Sequence, residues 1–214
     1  ALRDAAIRTS ASELAVVDAT VRTDLKLDEL LTAHRRSQAG LTVVAGKAPG
    51  SPGPNHLQPA GIYVVSRPAL EYIPASTYQD IKEMWIPRLY QHQQKVVSHH
   101  VAPSSYVRVL NGQSYLNAAA WALQSLRESA RLEPGYKRMG ESLVHSSVRL
   151  APSARLVGAC LIGPDCRVRD HTTLIGPTVL GARSVVGASC IVSQTAAWNA
   201  VRIGTGCVLD KVIL

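Results

Sequence analysis

The last third of the chain, from Val144 to Leu214, carries an apolar residue at every sixth position. A period of six fits neither an amphipathic helix nor an alternating strand. It is typical of a chain wound in triangular coils of three short strands, with one aliphatic side chain pointing inward from each flat side. Residues 136–214 are therefore predicted to form a left-handed parallel β-helix of hexapeptide repeats. The repeat residues are Leu150, Leu156, Ile162, Val168, Leu174, Leu180, Val186, Val192 and Trp198.

Small residues stand two positions before the repeat residues, where we expect a narrow interior. Gly163, Gly181 and Gly187 directly follow repeat residues, and we expect them at tight corners that need a permissive backbone. Trp198 is predicted to lie inward and to cap the last coils. After Trp198 the phase slips by one residue, and Ile203 and Leu209 carry the repeat onward.

The four cysteines, Cys160, Cys166, Cys190 and Cys207, all fall at the small positions of the repeat. No CxxC pair is present, so a zinc site is not expected. We predict reduced thiols inside the coil, with Cys190 and Cys207 on neighbouring coils. Such thiols indicate a reducing compartment, either the cytoplasm or the interior of an organelle.

The composition narrows the classes of partner. The chain has 214 residues and a formal charge of +8, which favours anionic partners. Its Lys and Arg residues are scattered, however, which does not favour a nucleic-acid site. No apolar run is long enough to span a bilayer, so membrane insertion is not expected. The first residues lack the apolar region of a signal peptide, and we do not expect secretion. Whether this N-terminus is native or truncated stays open.

The first 135 residues show mixed helix and strand patterns. A strand at Leu14–Val17, a helix at Asp24–Arg36 and a strand at Leu41–Ala45 predict a βαβ unit and thus a parallel sheet. A Pro/Gly-rich connector follows at Gly46–Asn55. The change of period places a domain boundary at 135, between an α/β domain of residues 1–135 and the coil of residues 136–214. Further strands are predicted at Ile62–Val65, Lys95–Val101 and Tyr106–Leu110, and helices at Tyr78–Tyr90 and Ser114–Arg131.

Five segments of this chain match the pattern of one known family. They are Ala15–Leu25, Leu30–Val44, Ala60-Gly61-Ile62-Tyr63-Val64, Ile86-Pro87-Arg88-Leu89 and Ser114-Tyr115-Leu116. Together they resemble the sugar-nucleotide pyrophosphorylases, such as mannose-1-phosphate guanylyltransferase. The resemblance implies a truncated, partly Rossmann-like nucleotidyltransferase domain before the coil. It also implies that Gly61 and Tyr63 are a remnant of the sugar- and nucleotide-binding site.

The same resemblance implies that catalysis has been lost. The family holds its divalent ion with two carboxylates, and the aligned residues here are Thr20 and Arg108. Asp18 lies two positions before Thr20, where it could act as a displaced ligand. The family's phosphate-binding Gly-rich loop has no counterpart, and we expect the chain to begin after it. Pro59 stands where the family has its sugar-binding Asn. No resident metal or cofactor is therefore expected.

Three functions are consistent with these features. The leading hypothesis is an inactive nucleotidyltransferase-like protein, a pseudoenzyme, that is a structural or regulatory subunit of a larger assembly. Its protein partners would bind through the β-helix and the truncated sheet, in homo- or hetero-oligomers. The first alternative is a divergent sugar-1-phosphate nucleotidyltransferase that uses Mg²⁺, alone or with a partner subunit. The second is a basic binding module in a ribonucleoprotein or organellar complex.

Two histidines of the coil were candidates for the chemistry of hexapeptide enzymes. His145 and His171 are separated by neither one coil nor two, so we do not expect them to stack. Both are predicted to be solvated loop residues.

Overall fold

The computed structural model describes residues 2–47, 57–73 and 81–214, and the chain divides into two compact units, Ala1–Arg108 and Val109–Leu214. Most of the Pro/Gly-rich connector and the first residues of the predicted 78–90 helix lie outside the described residues. The helix before the coil groups with the second unit, whereas the change of sequence period falls near residue 135. Among the described residues, none of the helices has both the length and the apolarity of a membrane span.

The first unit is built on a four-stranded mixed sheet with the order β1-β4-β3-β5. β4 runs antiparallel to both of its neighbours, and β3 pairs with β5 in parallel. A separate antiparallel ribbon joins β2 to β6. The elements are α1 (Leu2–Ile7), β1 (Glu13–Val17), β2 (Val21–Thr23), α2 (Leu27–Ser37), β3 (Leu41–Lys47), β4 (Leu57–Ser66), a 3₁₀ turn (Arg67–Tyr72), a π-helical turn (Ile81–Trp85), α3 (Ile86–Gln91), β5 (Val96–Val101), a 3₁₀ turn (Pro103–Ser105) and β6 (Tyr106–Arg108).

The βαβ prediction was incomplete. β1, α2 and β3 follow one another as expected, and the two strands run in the same direction because both are antiparallel to β4. They do not pair with each other, since β4 lies between them. β4 follows β3 along the chain and pairs with it antiparallel, which leaves the other edge of β4 for β1.

Apolar side chains cover both faces of this sheet, because successive side chains of a strand point to opposite faces. One cluster holds Tyr63 and Val65 of β4 with Trp85 and Leu89. The other cluster is the one that α2 covers, and it holds Leu30, Val44, Ala60, Ile62 and Val64.

The second unit begins with α4 (Gly112–Glu128) and continues into four coils of a β-solenoid. A capping box starts the helix: Ser114 N donates to Asn111 Oδ1 at 2.9 Å, and Asn111 N donates to Ser114 Oγ at 2.9 Å. The strands are β7 (Tyr136–Met139), β8 (Ser142–His145), β9 (Arg149–Leu150), β10 (Arg155–Val157), β11 (Cys160–Ile162), β12 (Arg167–Val168), β13 (Thr173–Ile175), β14 (Thr178–Leu180), β15 (Val185–Val186), β16 (Ile191–Ser193), β17 (Ala196–Ala197), β18 (Arg202–Ile203) and β19 (Val208–Asp210).

Three sheets form the sides of the solenoid, and their coil-to-coil pairings are all parallel. The sheets have the orders β17-β14-β11-β8-β7, β18-β15-β12-β9 and β10-β13-β16-β19. The antiparallel hairpin β7–β8 precedes the first coil. The predicted coil of three short strands per turn is confirmed. Its interior residues are buried as the repeat requires, among them Ile162, Val168, Leu174, Leu180, Val186 and Val192.

The register slip lies one step earlier than predicted, and Trp198 is not an interior residue. Thr178 pairs with Cys160, 18 positions before it, but Ala196 pairs with Val179, only 17 positions before it. The turn after β16 is therefore one residue shorter, and Ala197 takes the inward place above Leu180. Trp198 is 61% exposed as a result, and its ring stacks on Tyr115 with centroids 6.1 Å apart.

The three repeat glycines serve a different purpose from the one predicted. None of them has a positive φ. Instead, each lies against the backbone of the next coil. A Cβ on Gly187 would lie 2.6 Å from Gly204 C and Thr205 N, and a Cβ on Gly163 would lie 2.9 Å from Ala182 N. The glycines are needed because neighbouring coils approach too closely for a side chain.

The small interior positions hold hydroxyl and thiol groups that bond the backbone of adjacent coils. Thr172 Oγ1 donates to Gly187 O at 2.6 Å and accepts from Cys190 N at 3.2 Å. All four cysteines are free: Cys160, Cys166 and Cys190 are buried, and Cys207 is half-buried. Burial raises the pKa of the Cys160 and Cys166 thiols, so these two are in the protonated form at neutral pH.

Helix α4 covers the side of the solenoid that contains β8, β11, β14 and β17. Tyr115, near the start of the helix, stacks on Trp198 beside β17. At the other end, Arg138 of β7 donates to Arg127 O at 2.7 Å and to Ser129 O at 2.8 Å. A helix of 17 residues is about 25 Å long, close to the width of five strands. The outward Leu143 is consequently only 2% exposed.

Candidate functional site

Four of the five predicted site residues meet where β1 ends. Asp18 follows β1 directly, and its backbone N donates to the O of Gly61 in β4 at 2.8 Å. The backbone then turns, since Val21 N donates to Asp18 O at 2.9 Å and leads into β2. β2 pairs with β6, and this pairing places Arg108 opposite Val21. Two strand pairings thus bring residues that are far apart in sequence to one corner.

The Asp18 carboxylate has partners on both oxygens. Oδ1 accepts from the backbone N of Thr20 at 3.0 Å and from its Oγ1 at 2.9 Å. Oδ2 accepts from Arg108 Nη2 at 2.9 Å. These hydrogen bonds, chiefly those from Thr20, and the nearby positive charge of Arg108 hold the pKa of Asp18 below its usual value. Asp18 is therefore ionised and locally neutralised.

The Arg108 side chain is held by its bond to the Asp18 carboxylate and is only partly exposed to solvent. The side chain is 29% exposed, against 39% for Asp18. Its Nε is buried and has no hydrogen-bond partner among the described residues. Reaching Asp18 through Nη2 therefore leaves one buried donor of the guanidinium without a hydrogen bond, which is a cost that the ion pair partly offsets.

Gly61 is required at this corner by its backbone and by its neighbours. Its φ of +81° lies in the region that favours glycine. An added Cβ would lie 2.9 Å from Val21 Cγ2 and 3.1 Å from Asp18 Cβ. The glycine therefore lets β4 pass close behind the Asp18 turn.

Tyr63, the fifth predicted residue, does not join this corner. It pairs with Val16 and Val43 across the sheet and is 8% exposed in the apolar cluster around Trp85. Its predicted binding role stays a prediction.

The electrostatics of the corner disfavour a divalent cation. The described residues contain no group of three His, Cys, Asp or Glu side chains placed to hold a metal ion. Two unit charges 4 Å apart interact by about 4 kcal/mol at an effective dielectric constant of about 20. A divalent ion at this corner would be repelled by Arg108 about as strongly as Asp18 attracts it, so the ion pair offers it little net attraction. In this arrangement the positive charge of Arg108 neutralises the negative charge of Asp18.

A second polar cluster lies at the end of α2, and the sequence reasoning did not identify it as a site. His34 is 1% exposed; its Nδ1 lies 2.7 Å from Thr42 Oγ1 and its Nε2 lies 2.9 Å from Ser66 Oγ. Burial lowers the pKa of His34. Arg35 Nε and Nη2 each lie 2.8 Å from Glu13 Oε2. The only signal in the sequence was a histidine on the apolar face of a predicted helix.

This cluster borders an open depression of about 350 Å³. Its hydrogen bonds all tie α2 to β1, β3 and β4, so we interpret it as a structural network. A buried histidine with a hydroxyl partner on each ring nitrogen has no free nitrogen for a ligand.

The two coil histidines lie apart, as their spacing predicted. His145 is half-buried, packs edge-on against Tyr136 with centroids 5.1 Å apart, and its Nδ1 lies 2.8 Å from Ser147 Oγ. His171 is exposed and has a φ of 57° at a corner of the coil. The expectation that both are solvated loop residues holds for His171 but not for His145, which these contacts fix in place.

Comparison with known proteins assigns no family to these sites: no protein-family model matches the chain, and no curated protein matches it.

Proposed function

We propose that this chain is a catalytically inactive nucleotidyltransferase-like protein that serves as a structural or regulatory subunit of a larger assembly. The observation that carries the proposal is the contact of 2.9 Å between Arg108 Nη2 and Asp18 Oδ2. The resemblance to sugar-nucleotide pyrophosphorylases assigns position 108 and the Asp18–Thr20 turn to the two halves of a metal site. These positions are neighbours in space although 90 residues separate Asp18 from Arg108.

A guanidinium in place of a metal ligand removes the central requirement of nucleotidyl transfer. A divalent ion neutralises the charge that develops on the pyrophosphate and orients the attacking phosphate. Arg108 supplies one positive charge, but its Nη2 is held by Asp18, and three hydrogen bonds already occupy most of the acceptor positions of the Asp18 carboxylate. This corner therefore maintains the link between β1 and β6 and does not assemble a catalyst.

Exposed apolar side chains on the solenoid support a role in assembly. On the side formed by β10, β13, β16 and β19, Ile191 and Val208 are register neighbours that point outward. They are 46% and 71% exposed, and Val157 on the same side is 51% exposed. Exposed apolar patches often mark protein–protein contacts. In the first unit, β1 is an edge strand of the described sheet, and Val17 at its end is 50% exposed.

Two finer features belong to the same proposal. We infer that the solenoid is of the left-handed type, since its hexapeptide repeat and triangular coils are those of that class. We also infer a reducing compartment, the cytoplasm or the interior of an organelle, because four free thiols lie in or beside the coil interior.

The decisive test is an assay of pyrophosphate release. The purified chain is incubated with Mg²⁺, a sugar 1-phosphate and each nucleoside triphosphate in turn, beside the Asp18→Ala variant. We expect no release above background from either protein. Robust turnover that Asp18→Ala abolishes would establish the divergent enzyme instead.

The assembly half of the proposal has its own measurement. Light scattering of the purified chain at low micromolar concentration should show species larger than a monomer. A monodisperse, stable monomer would count against a subunit that associates through its solenoid.

A further inference from the structure

One side of the solenoid carries an outward column of arginines, which we call the basic face: Arg149, Arg167, Arg169 and Arg202. Arg149 and Arg167 are register neighbours in β9 and β12. Val185 of β15 follows above Arg167, and Arg202 of β18 follows above Val185. Arg169 comes directly after β12. All four side chains are exposed.

Within the described residues, no ion pair neutralises the arginines of the basic face. Asp170 lies nearby, but one of its oxygens already accepts from Ser153 Oγ at 3.1 Å. Neighbouring strands are about 4.8 Å apart, and like charges directly opposite each other destabilise a sheet. In the isolated chain Arg149 and Arg167 therefore repel each other, and an anionic partner would reduce this repulsion.

We propose that the basic face is a docking surface for an extended, acidic segment of a protein partner. The proposal deepens the assembly role above and rests on it, because it names the chemistry of one partner. Arg149, Arg167 and Arg169 line a shallow depression of about 290 Å³, together with Leu150, Ala151, Val168 and one acidic residue, Asp170. Guanidinium groups bind carboxylates with two parallel hydrogen bonds.

The spacing of the arginines suits alternating carboxylates. Arg167 and Arg169 are two residues apart, and side chains two apart in an extended chain point the same way about 6.7 Å apart. An extended peptide with an acidic residue at every second position presents its carboxylates at the same interval. An extended partner segment laid along β12 and the residue that follows it would thus meet both arginines at once.

Nucleic acid fits the basic face less well. Proteins that hold single strands place aromatic side chains under the bases, and the outward residues of β9, β12, β15 and β18 include no aromatic one. Asp165 and Asp170 also border the face, so a partner has to place its negative charges at the arginines and away from these two carboxylates, which suits separate carboxylates better than a continuous phosphate backbone. The cluster in the depression is small, and it matches two or three separate carboxylates.

The test measures binding of a fluorescent peptide of alternating Glu and Ser to the full chain, by anisotropy, at about 50 and about 200 mM salt. The variant is Arg167→Gln. The matched control is Arg155→Gln, which removes the same charge from an exposed position at the start of β10, on a different side of the solenoid. A single-stranded oligouridylate of equal charge is the second probe.

We expect saturable peptide binding that weakens as salt rises. Arg167→Gln should lower the affinity about threefold, as expected for one exposed charge pair. It should also raise the thermal midpoint of the free chain by about 1–2 °C, because the repulsion from Arg149 is removed. Arg155→Gln should change neither quantity, and oligouridylate should bind more weakly than the peptide.

Three results would overturn the proposal: no saturable peptide binding at the lower salt concentration, an equal loss in both variants, or tighter binding of oligouridylate that Arg167→Gln weakens. The last result would identify a nucleic-acid surface. Failure here is separable from failure of the proposed function. Absent peptide binding with no pyrophosphate release refutes only the docking surface, and pyrophosphate release with intact peptide binding refutes only the loss of catalysis.

Discussion

Replacing Arg108 by Asp should convert the Asp18 corner from a closed ion pair into a site for a divalent cation. In the wild-type chain the two side chains meet at 2.9 Å and are 29% and 39% exposed. An ion pair with that much solvent contributes about 0.2–1 kcal/mol. Arg108→Asp removes this attraction and adds a repulsion of similar size. The free energy of unfolding should therefore fall by about 1–2 kcal/mol without metal.

Mg²⁺ should then restore the stability that the substitution removes. A ligand at ten times its dissociation constant stabilises the folded state by about 1.4 kcal/mol. For a chain of this size that corresponds to about 3–5 °C in the thermal midpoint. Trp85 is buried in the same unit as the ion pair, so tryptophan fluorescence reports the transition.

Two controls separate a created site from a general salt effect. Arg108→Ala removes the cation without adding a ligand, and it should show no more response to MgCl₂ than to NaCl of equal ionic strength. The wild-type chain should behave in the same way. If Arg108→Asp shows no specific response to Mg²⁺, or if the wild-type chain shows the larger one, then position 108 and Asp18 do not occupy the place of a metal site.

Further predictions concern the two cores. Burial lowers the pKa of His34 from 6.5, so the contribution of this histidine to stability is full above about pH 6.5 and is lost as the pH falls. Urea unfolding should therefore give a smaller free energy of unfolding at about pH 5.5 than at about pH 7.5. The difference between the two pH values should be smaller in His34→Gln. Gly187→Ala should cost about 1–3 kcal/mol through its clash with the next coil. Gly204→Ala, at the equivalent place on the following coil, meets only Cys207 Sγ at 3.8 Å and should cost less than about 0.5 kcal/mol. Leu180→Ala should cost about 2–5 kcal/mol because the side chain is 1% exposed. Trp198→Ala should cost only about 1 kcal/mol, because the substitution removes little more than the stacking of Trp198 on Tyr115. Thermal unfolding of the Leu180→Ala and Trp198→Ala variants checks the corrected register.

The repeat in the second unit was predictable because each coil contacts only its neighbours. An inward residue every six positions is then enough to specify the coil. The single deletion between Val192 and Ala197 was harder to place, since Ala196, Ala197 and Trp198 are all apolar and any of them satisfies the pattern. Only the pairing of Val179 with Ala196 decides between them.

The sequence likewise did not predict where neighbouring coils lie too close together for a side chain. Gly163, Gly181 and Gly187 have the spacing of turn glycines. Glycine is required at these positions, however, because the backbone of the next coil, about 18 residues further along the chain, leaves no room for a Cβ. Non-glycine residues such as Asp165 and Arg183 adopt the positive φ values at the corners instead.

By itself the sequence determined the solenoid, most of the helices and strands of the first unit but not β2, and the residue types at the candidate site. These follow from local periodicity and from short motifs. The tertiary structure alone decided that β4 separates β1 from β3, that α4 covers one side of the solenoid, and that the Asp18 carboxylate forms an ion pair with Arg108. Each of these depends on contacts between residues far apart in the chain, and pairings at that distance leave no periodic trace in the sequence.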